Sequence, residues 1–259
     1  MNNKNIIVAN LKMYLSLAGE VERWLENFSK AKKDLKLKNT ELVICPPAIF
    51  LDQFSKKNKS KTIFVGAQNC VWENKGAFTG EISPTMLSSS GIKYVILGHS
   101  ERRKYFGEND EMISQKISAV LRAGIKPIIC IGEDGDQRRK GLTMEVVLGQ
   151  LSNCLIEIGP GKIENVIICY EPIWAISANK PKFPPTSADI MTARLLIKKF
   201  LVKKYGEKTA ERVRIIYGGS VDSKNVQEVC IDSGMKGALI GSASTIPHEL
   251  KKITKLMDN

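Results

Sequence analysis

The sequence has little of what would mark a metal site, a redox framework or a membrane protein. Its 259 residues include only two histidines, and the six cysteines (Cys45, Cys70, Cys130, Cys154, Cys169 and Cys230) form no CxxC and no ligand-like pairing with histidine. Zinc sites and disulfide frameworks need such clusters, so both classes are excluded. Cys45, Cys130 and Cys169 fall inside apolar runs. All six thiols therefore read as small buried residues of a reducing compartment. No stretch approaches the roughly 20 apolar residues that cross a bilayer. The start, Met1-Asn2-Asn3-Lys4, passes within a few residues into Ile6-Ile7-Val8. That run is too short for a signal-peptide core, and a cytoplasmic location is expected. No Gly-x-Gly-x-x-Gly opens the first unit, which argues against a dinucleotide fold. No low-complexity linker divides the chain, so one domain over residues 1–259 is expected.

Hydrophobic residues make up 43% of the chain, enough for a sizeable core, and the formal net charge is +12. A positive balance of that size suits nucleic acid, an anionic membrane surface or an anionic small substrate. Lysines concentrate at Lys30–Lys38 and Lys56–Lys61, between apolar runs and without interleaved aromatics. They read as solvated helix and loop faces, with neither nucleic acid nor membrane as a partner.

Eight short apolar runs recur: Ile6–Ala9, Leu42–Cys45, Ile63–Ala67, Tyr94–Leu97, Pro127–Ile131, Val166–Tyr170, Val213–Tyr217 and Ala238–Ile240. Continuous runs of this kind suit strands buried on both faces, as in a parallel sheet. Helical periodicity lies between most of them. Val21, Trp24, Leu25 and Phe28 share one face; Ile113, Ile117, Val120 and Leu121 share another; Ile190, Leu195, Ile197 and Leu201 form a third. Strand then helix, eight times over, predicts a (β/α)8 barrel.

Barrels of this kind carry their chemistry at the C-terminal strand ends. The residues that follow the runs are Asn10 and Lys12, Pro46-Pro47, Gln68-Asn69, Gly98-His99, Gly132-Glu133, Glu171, Gly218-Gly219-Ser220 and Gly241-Ser242. Glu171 ends an apolar run abruptly, as a catalytic carboxylate or as a buried ion-pair or loop-capping residue. His99 stands where a helix would start. There the positive helix end would keep the ring neutral, and the alternative is a histidine satisfied by a helix cap. Lys12 follows the first run closely enough to return its ammonium to the barrel mouth, where it could stabilise an enolate oxygen and a phosphate. The other histidine, His248, reads as a surface residue at the start of a final helix. Tyr217-Gly218-Gly219-Ser220-Val221 and Leu239-Ile240-Gly241-Ser242-Ala243-Ser244 end the seventh and eighth runs, the two positions from which barrels build a phosphate cradle.

Taken in order, Asn10-x-Lys12, Gln68-Asn69, Gly98-His99-Ser100-Glu101-Arg102-Arg103, Cys130-Ile131-Gly132-Glu133, Tyr170-Glu171-Pro172-Ile173-Trp174-Ala175-Ile176 and Tyr217-Gly218-Gly219-Ser220-Val221 resemble the triosephosphate isomerase family across essentially the whole chain. The resemblance implies a cofactor-free aldose–ketose isomerisation of glyceraldehyde 3-phosphate and dihydroxyacetone phosphate through an enediolate, a step of glycolysis and gluconeogenesis. It implies Glu171 as the base, His99 as the neutral electrophile and Lys12 as the electrostatic partner. Asn10 would be a hydrogen-bonding neighbour and Glu101 an auxiliary carboxylate. Ser177, Ser220, Gly241 and Ser242 would hold the phosphate. It further implies a homodimer in which the loop Cys70–Ser83, with Thr79 at its tip, reaches a neighbouring subunit.

Departures from the family pattern are equally specific. Leu11 and Tyr14 stand where the family usually has Trp and Asn, and Ser242 replaces the second glycine of a Gly-Gly pair. After Ile176 the usual Gly-Thr-Gly-Lys lid becomes Ser177-Ala178-Asn179-Lys180, followed by Pro181-Lys182-Phe183-Pro184-Pro185-Thr186. Prolines restrict φ and remove donors, so a stiffer C-terminal hinge is expected. These changes keep two alternatives in view: an isomerase of a longer sugar phosphate such as a tetrulose phosphate, and a non-catalytic basic barrel.

Overall fold

The computed structural model describes residues 4–58, 60–176 and 184–259. Eight parallel strands close into one barrel in chain order: β1 (Asn5–Asn10), β2 (Thr40–Cys45), β3 (Ile63–Ala67), β4 (Tyr94–Leu97), β5 (Lys126–Ile131), β6 (Ile167–Tyr170), β7 (Arg214–Tyr217) and β8 (Gly237–Ile240). All eight expected runs are strands, with ends shifted by no more than two residues. β8 pairs back to β1, with Ile6 opposite Gly237 and Ala9 opposite Ile240.

Helices wrap the outside: α1 (Ala18–Ala31), α2 (Leu51–Lys57), α3 (Pro84–Ser89), α4 (Ser100–Phe106), α5 (Asp110–Arg122), α6 (Gly135–Arg139), α7 (Thr143–Cys154), α8 (Pro160–Ile163), α9 (Ser187–Tyr205), α10 (Glu207–Ala210) and α11 (Pro247–Asp258). A π-helical turn, Gln227–Asp232, follows β7. The expected faces of α1 and α5 are buried through Val21, Trp24 and Phe28 and through Ile113, Ile117 and Val120. In α9 one member of the expected face is wrong. Ile190, Ala193, Ile197 and Leu201 face the barrel, whereas Leu195 is 51% exposed. At about 100° per residue, Leu195 stands well off the stripe that starts at Ile190.

Alternation along each strand divides the core in two. Ile6, Val8, Val43, Cys45, Ile96, Ile128, Cys130, Ile167, Cys169, Ile216 and Leu239 fill the barrel lumen with Tyr94. The intervening residues, such as Ile7, Ala9, Leu42, Ile44 and Ile168, join the larger core under the helices. Every strand is thus apolar on both faces, the burial expected for a parallel sheet covered by helices. All six cysteines are free and buried.

The lumen parity also places charge at both ends of the barrel. At the N-terminal end, Arg214 Nη1 meets Glu41 Oε2 at 2.6 Å and the Tyr94 hydroxyl donates to the same oxygen at 2.8 Å. Lys126 Nζ lies 5.7 Å from the Tyr94 ring centre. Burial would raise the Glu41 carboxyl, but the Arg214 guanidinium and the Tyr94 hydroxyl outweigh it and hold it below its ordinary value. This polar plug closes the floor of the lumen.

Candidate active site

Following the lumen parity upward leads to the other charged end. Ile6 and Val8 are succeeded by Asn10, and Ile167 and Cys169 by Glu171. Glu171 is 2% exposed, and its N–H donates to the Ile131 carbonyl of β5 at 2.7 Å. That close approach needs glycine at position 132, because a Cβ there would fall inside contact distance of the Glu171 carbonyl. The side chain is held by the start of α4. Glu171 Oε2 accepts the Ser100 N–H at 3.0 Å, and Oε1 accepts the Ser100 hydroxyl at 3.1 Å.

His99 is the N-cap of α4, and its Nδ1 accepts the Glu101 N–H at 3.3 Å. An accepting nitrogen carries no proton, so the ring proton is on Nε2, 3.1 Å from Glu171 Oε1. The capping role and the electrophile role therefore do not compete: the cap fixes the tautomer that points a donor into the pocket. Glu101, the next acidic residue, sits between the other two groups. Its Oε1 is 2.6 Å from Lys12 Nζ and its Oε2 is 3.7 Å from His99 Nδ1.

Lys12 is the one non-glycine residue with positive φ among the described residues, at 45°. The strained backbone is held on both sides. Its N–H donates to Asn10 Oδ1 at 3.0 Å, and its carbonyl accepts Gln68 Nε2 at 3.0 Å. The same Gln68 amide nitrogen donates to the Cys45 carbonyl at 2.9 Å, tying the turn to β2. Leu11 is fully buried in the core, whereas Tyr14 is about half exposed and lines the pocket.

The opposite wall comes from the last two strands. Lys12, His99, Glu171, Gly218, Gly219, Gly241 and Ser242 line one pocket. Gly241 lies against the Lys12 side chain: a Cβ there would meet Lys12 Cε at 3.4 Å, an ordinary van der Waals contact. Ser242 opens a short 3-10 turn (Ser242–Thr245) and sits there without positive φ. Ser220 donates its N–H to the Ala175 carbonyl at 3.3 Å, which joins the loop after β7 to the segment after β6.

That segment is anchored on Glu133, which is fully buried. Trp174 Nε1 donates to Glu133 Oε1 at 2.9 Å, the Tyr170 hydroxyl lies 3.1 Å from both carboxylate oxygens, and Ile173 N–H donates to the Glu133 carbonyl at 2.9 Å. Burial and the Glu133 carboxylate push the Tyr170 phenol up, so it remains a donor. Arg138 stacks on the Trp174 ring at 4.1 Å and pairs with Asp189 at 3.0 Å. Asp189 forms the capping box of α9 with Thr186, just after the buried Pro185.

Of the residues expected at the site, Lys12, His99, Glu171, Gly241 and Ser242 share one pocket, with Asn10 and Glu101 beside it. Thr79 does not join them: it lies at the exposed tip of its loop, whose Phe78 rests edge-on against Trp72 at 6.5 Å. Ser177 lies outside the described residues, as does most of the altered lid. Three supporting residues, Ser100, Gln68 and Glu133, read in the sequence as motif residues without a role at the site. Ser100 could have been found, since it follows His99 at the first position of a helix where an N–H is free for a carboxylate. Gln68 and Glu133 sit at strand ends as expected, but the groups they tie together lie on other segments, for which their neighbours in sequence hold no signal. Among the described residues no group of three or more His, Cys, Asp or Glu is placed to hold a metal ion.

Comparison with known proteins agrees with this geometry. The family model described as Triosephosphate isomerase matches residues 5–257. A protein named "Triosephosphate isomerase" from Thermoanaerobacter sp. (strain X514) is 42% identical over 96% of this chain and 97% of its own length. Proteins of the same name from Dictyoglomus thermophilum and Clostridium tetani are each 40% identical, over 97% and 96% of this chain and 99% and 95% of their own. With the match running from β1 into α11 and the strand-end residues gathered in one pocket, the chain belongs to the triosephosphate isomerase family.

Proposed function

We propose that Glu171, His99 and Lys12 carry the interconversion of D-glyceraldehyde 3-phosphate and dihydroxyacetone phosphate, an intramolecular aldose–ketose isomerisation. The observation that carries this reading is the meeting of His99 Nε2 with Glu171 Oε1 at 3.1 Å, both residues buried, in the pocket that Lys12 also lines. Glu171 takes the proton from the carbon next to the carbonyl, and the charge moves to oxygen. The Nε2–H of His99 and the ammonium of Lys12 are aimed where that charge develops. His99 gives its Nε2 proton to the oxygen that becomes the hydroxyl and takes one back from the oxygen that becomes the carbonyl, while the same carboxyl returns the proton to the neighbouring carbon, so no other reagent is consumed. Glu171 must first turn away from Ser100, whose two donors hold it in the resting arrangement. Backbone N–H groups of Gly241 and Ser242 at the end of β8 form the phosphate cradle, while the Ser220 N–H is engaged by the Ala175 carbonyl, and Ser177 lies outside the described residues.

The test is turnover of glyceraldehyde 3-phosphate by the purified protein, coupled to reduction of dihydroxyacetone phosphate. The expected result is rapid isomerisation that phosphoglycolate inhibits competitively; absence of turnover would overturn the reading. The four-carbon alternative rests on the rebuilt lid, mostly outside the described residues, and on Ser242, which lines the pocket in place of a glycine.

A homodimer completes this reading. Met13 is 86% and Phe106 66% exposed, and both line a groove with Glu81, Ile82, Glu101 and Arg102 beside Lys12 and His99. Contiguous apolar exposure of this kind suits a partner surface, and a second copy's Cys70–Ser83 loop, tipped by Thr79, is the proposed occupant. Sedimentation is expected to give twice the chain mass and, for Met13→Asp, a shift toward monomer; a wild-type monomer at micromolar concentration would reject it. Six buried free thiols suit a reducing cytoplasm.

A further inference from the structure

The two lysine-rich stretches, Lys30–Lys38 and Lys56–Lys61, lie far apart in sequence and take no part in the isomerisation, yet the fold brings them together. One ends α1 and the other ends α2, and a cleft of about 450 Å³ opens between those helix ends above β2 and β3. Lysines at helix C-termini complement the macrodipole, which accounts for their position along each helix. It does not account for what lies between them. The floor of the cleft is apolar and recessed: Phe28, Ile44, Phe54 and Val65 line it and are each only 2–6% exposed.

Charge on the rim is unequal. Lys56 pairs with Asp52 at 2.7 Å. Lys32 and Lys57 have no ion-pair partner among the described residues, and Glu26 is the one acidic group on the lining. Lys32 Nζ stands 5.7 Å from the Phe28 ring centre, at the junction of the apolar floor and the charged edge. A volume in the usual range for small-molecule pockets, an apolar floor and two ammonium groups without an ion-pair partner among the described residues, one at each helix end that flanks the cleft, select an amphipathic anion. A membrane would need apolar groups that protrude, and these are sunken. Single-stranded nucleic acid would need exposed aromatic platforms, and Phe28 and Phe54 lie nearly covered.

We propose that this cleft binds a medium-chain alkyl carboxylate, with its chain on the Phe28–Phe54 floor and its head at Lys32 and Lys57. The site shares no lining residue with the catalytic pocket, so its occupation is independent of phosphoglycolate. The fold supplies a reporter: Trp24 stacks on Phe28 at 5.0 Å and lies 5.4 Å from Phe54, directly behind the floor.

The experiment titrates the full-length enzyme with decanoate by calorimetry and with ω-bromodecanoate, whose heavy atom quenches tryptophan emission. Saturable binding and quenching are expected, both unchanged by excess phosphoglycolate. Lys32→Glu/Lys57→Glu is expected to weaken binding at least tenfold while kcat/KM is retained. Ser29→Tyr, which fills the cleft from the exposed side of α1, provides a second variant with the same expected loss. Non-saturating quenching, wild-type affinity in both variants, or displacement by phosphoglycolate would each overturn the proposal. So would binding to anionic phosphatidylglycerol vesicles without binding of free decanoate.

Discussion

In the resting site Glu171 takes hydrogen bonds from Ser100 N–H and Ser100 Oγ–H, at 3.0 and 3.1 Å, and its Oε1 lies 3.1 Å from His99 Nε2. These donors orient the carboxylate without a covalent or ionic lock, so it can be released when substrate enters. Glu171→Gln preserves shape and most of these contacts but removes the base. Its kcat is expected to fall by about 10³-fold or more, with phosphoglycolate affinity changed only slightly. Steady-state kinetics beside an inhibitor titration separate the two; near-normal turnover would exclude Glu171 as the base. His99→Gln is expected to lower kcat by roughly 10²- to 10⁴-fold, because an amide cannot exchange a proton with the enediolate oxygens. Glu171, His99 and Lys12 were legible from the sequence because each follows an apolar run at the end where barrels keep their chemistry. The backbone twist at Lys12 was not legible, since its φ of 45° is imposed by Asn10 and Gln68 on either side and a lysine carries no mark of it.

At the level of elements, placement of Glu171 depends on how closely β5 and β6 end together. Gly132 lets the β5 end pass against the Glu171 carbonyl. Gly132→Ala is expected to push the β6 end away. The expected cost is about 1–3 kcal/mol of stability together with a clear loss of kcat, read from denaturant unfolding and the coupled assay on the same preparation. Unchanged turnover would show that this approach does not position Glu171. The strands were legible because each is apolar on both faces, a local property of four to six residues. The face of α9 was read less well: Leu195 is apolar but points outward, and only the packing of Ile190, Ala193 and Ile197 on the barrel shows which stripe faces inward.

For the whole molecule, acid stability follows from one partly buried and one buried carboxylate at two separate places. For both Glu41 and Glu108, burial alone would raise the carboxyl. Arg214 and Tyr94 lower the first, and Lys116 and Arg102 lower the second, so both end below the ordinary value of 4.5. A carboxyl with a depressed folded value adds stability above its unfolded value, and that stability is lost as pH falls through the folded one. Thermal melting is therefore expected to be level from neutral pH down to about 5 and to drop below that. Arg214→Met should lower Tm at neutral pH, where Glu41 is charged and would lose its partner. The gap from wild type should narrow in acid as Glu41 becomes protonated. A gap of constant size at every pH would show that the barrel-floor pair does not titrate with folding.

The sequence by itself determined the eight strands, the helices between them and the order in which functional residues reach the rim. These follow from continuous apolar runs for the strands and from apolar positions that recur every 3.6 residues for the helices, both complete within each element. Tertiary structure alone decided which of those residues touch. Closing β8 onto β1 brings Gly241 beside Lys12, and the start of α4 delivers Ser100 to Glu171. The same closure turned two separate lysine runs into one rim around an apolar cleft. Contacts across such distances depend on how whole elements pack, and no local pattern in the chain carries that information.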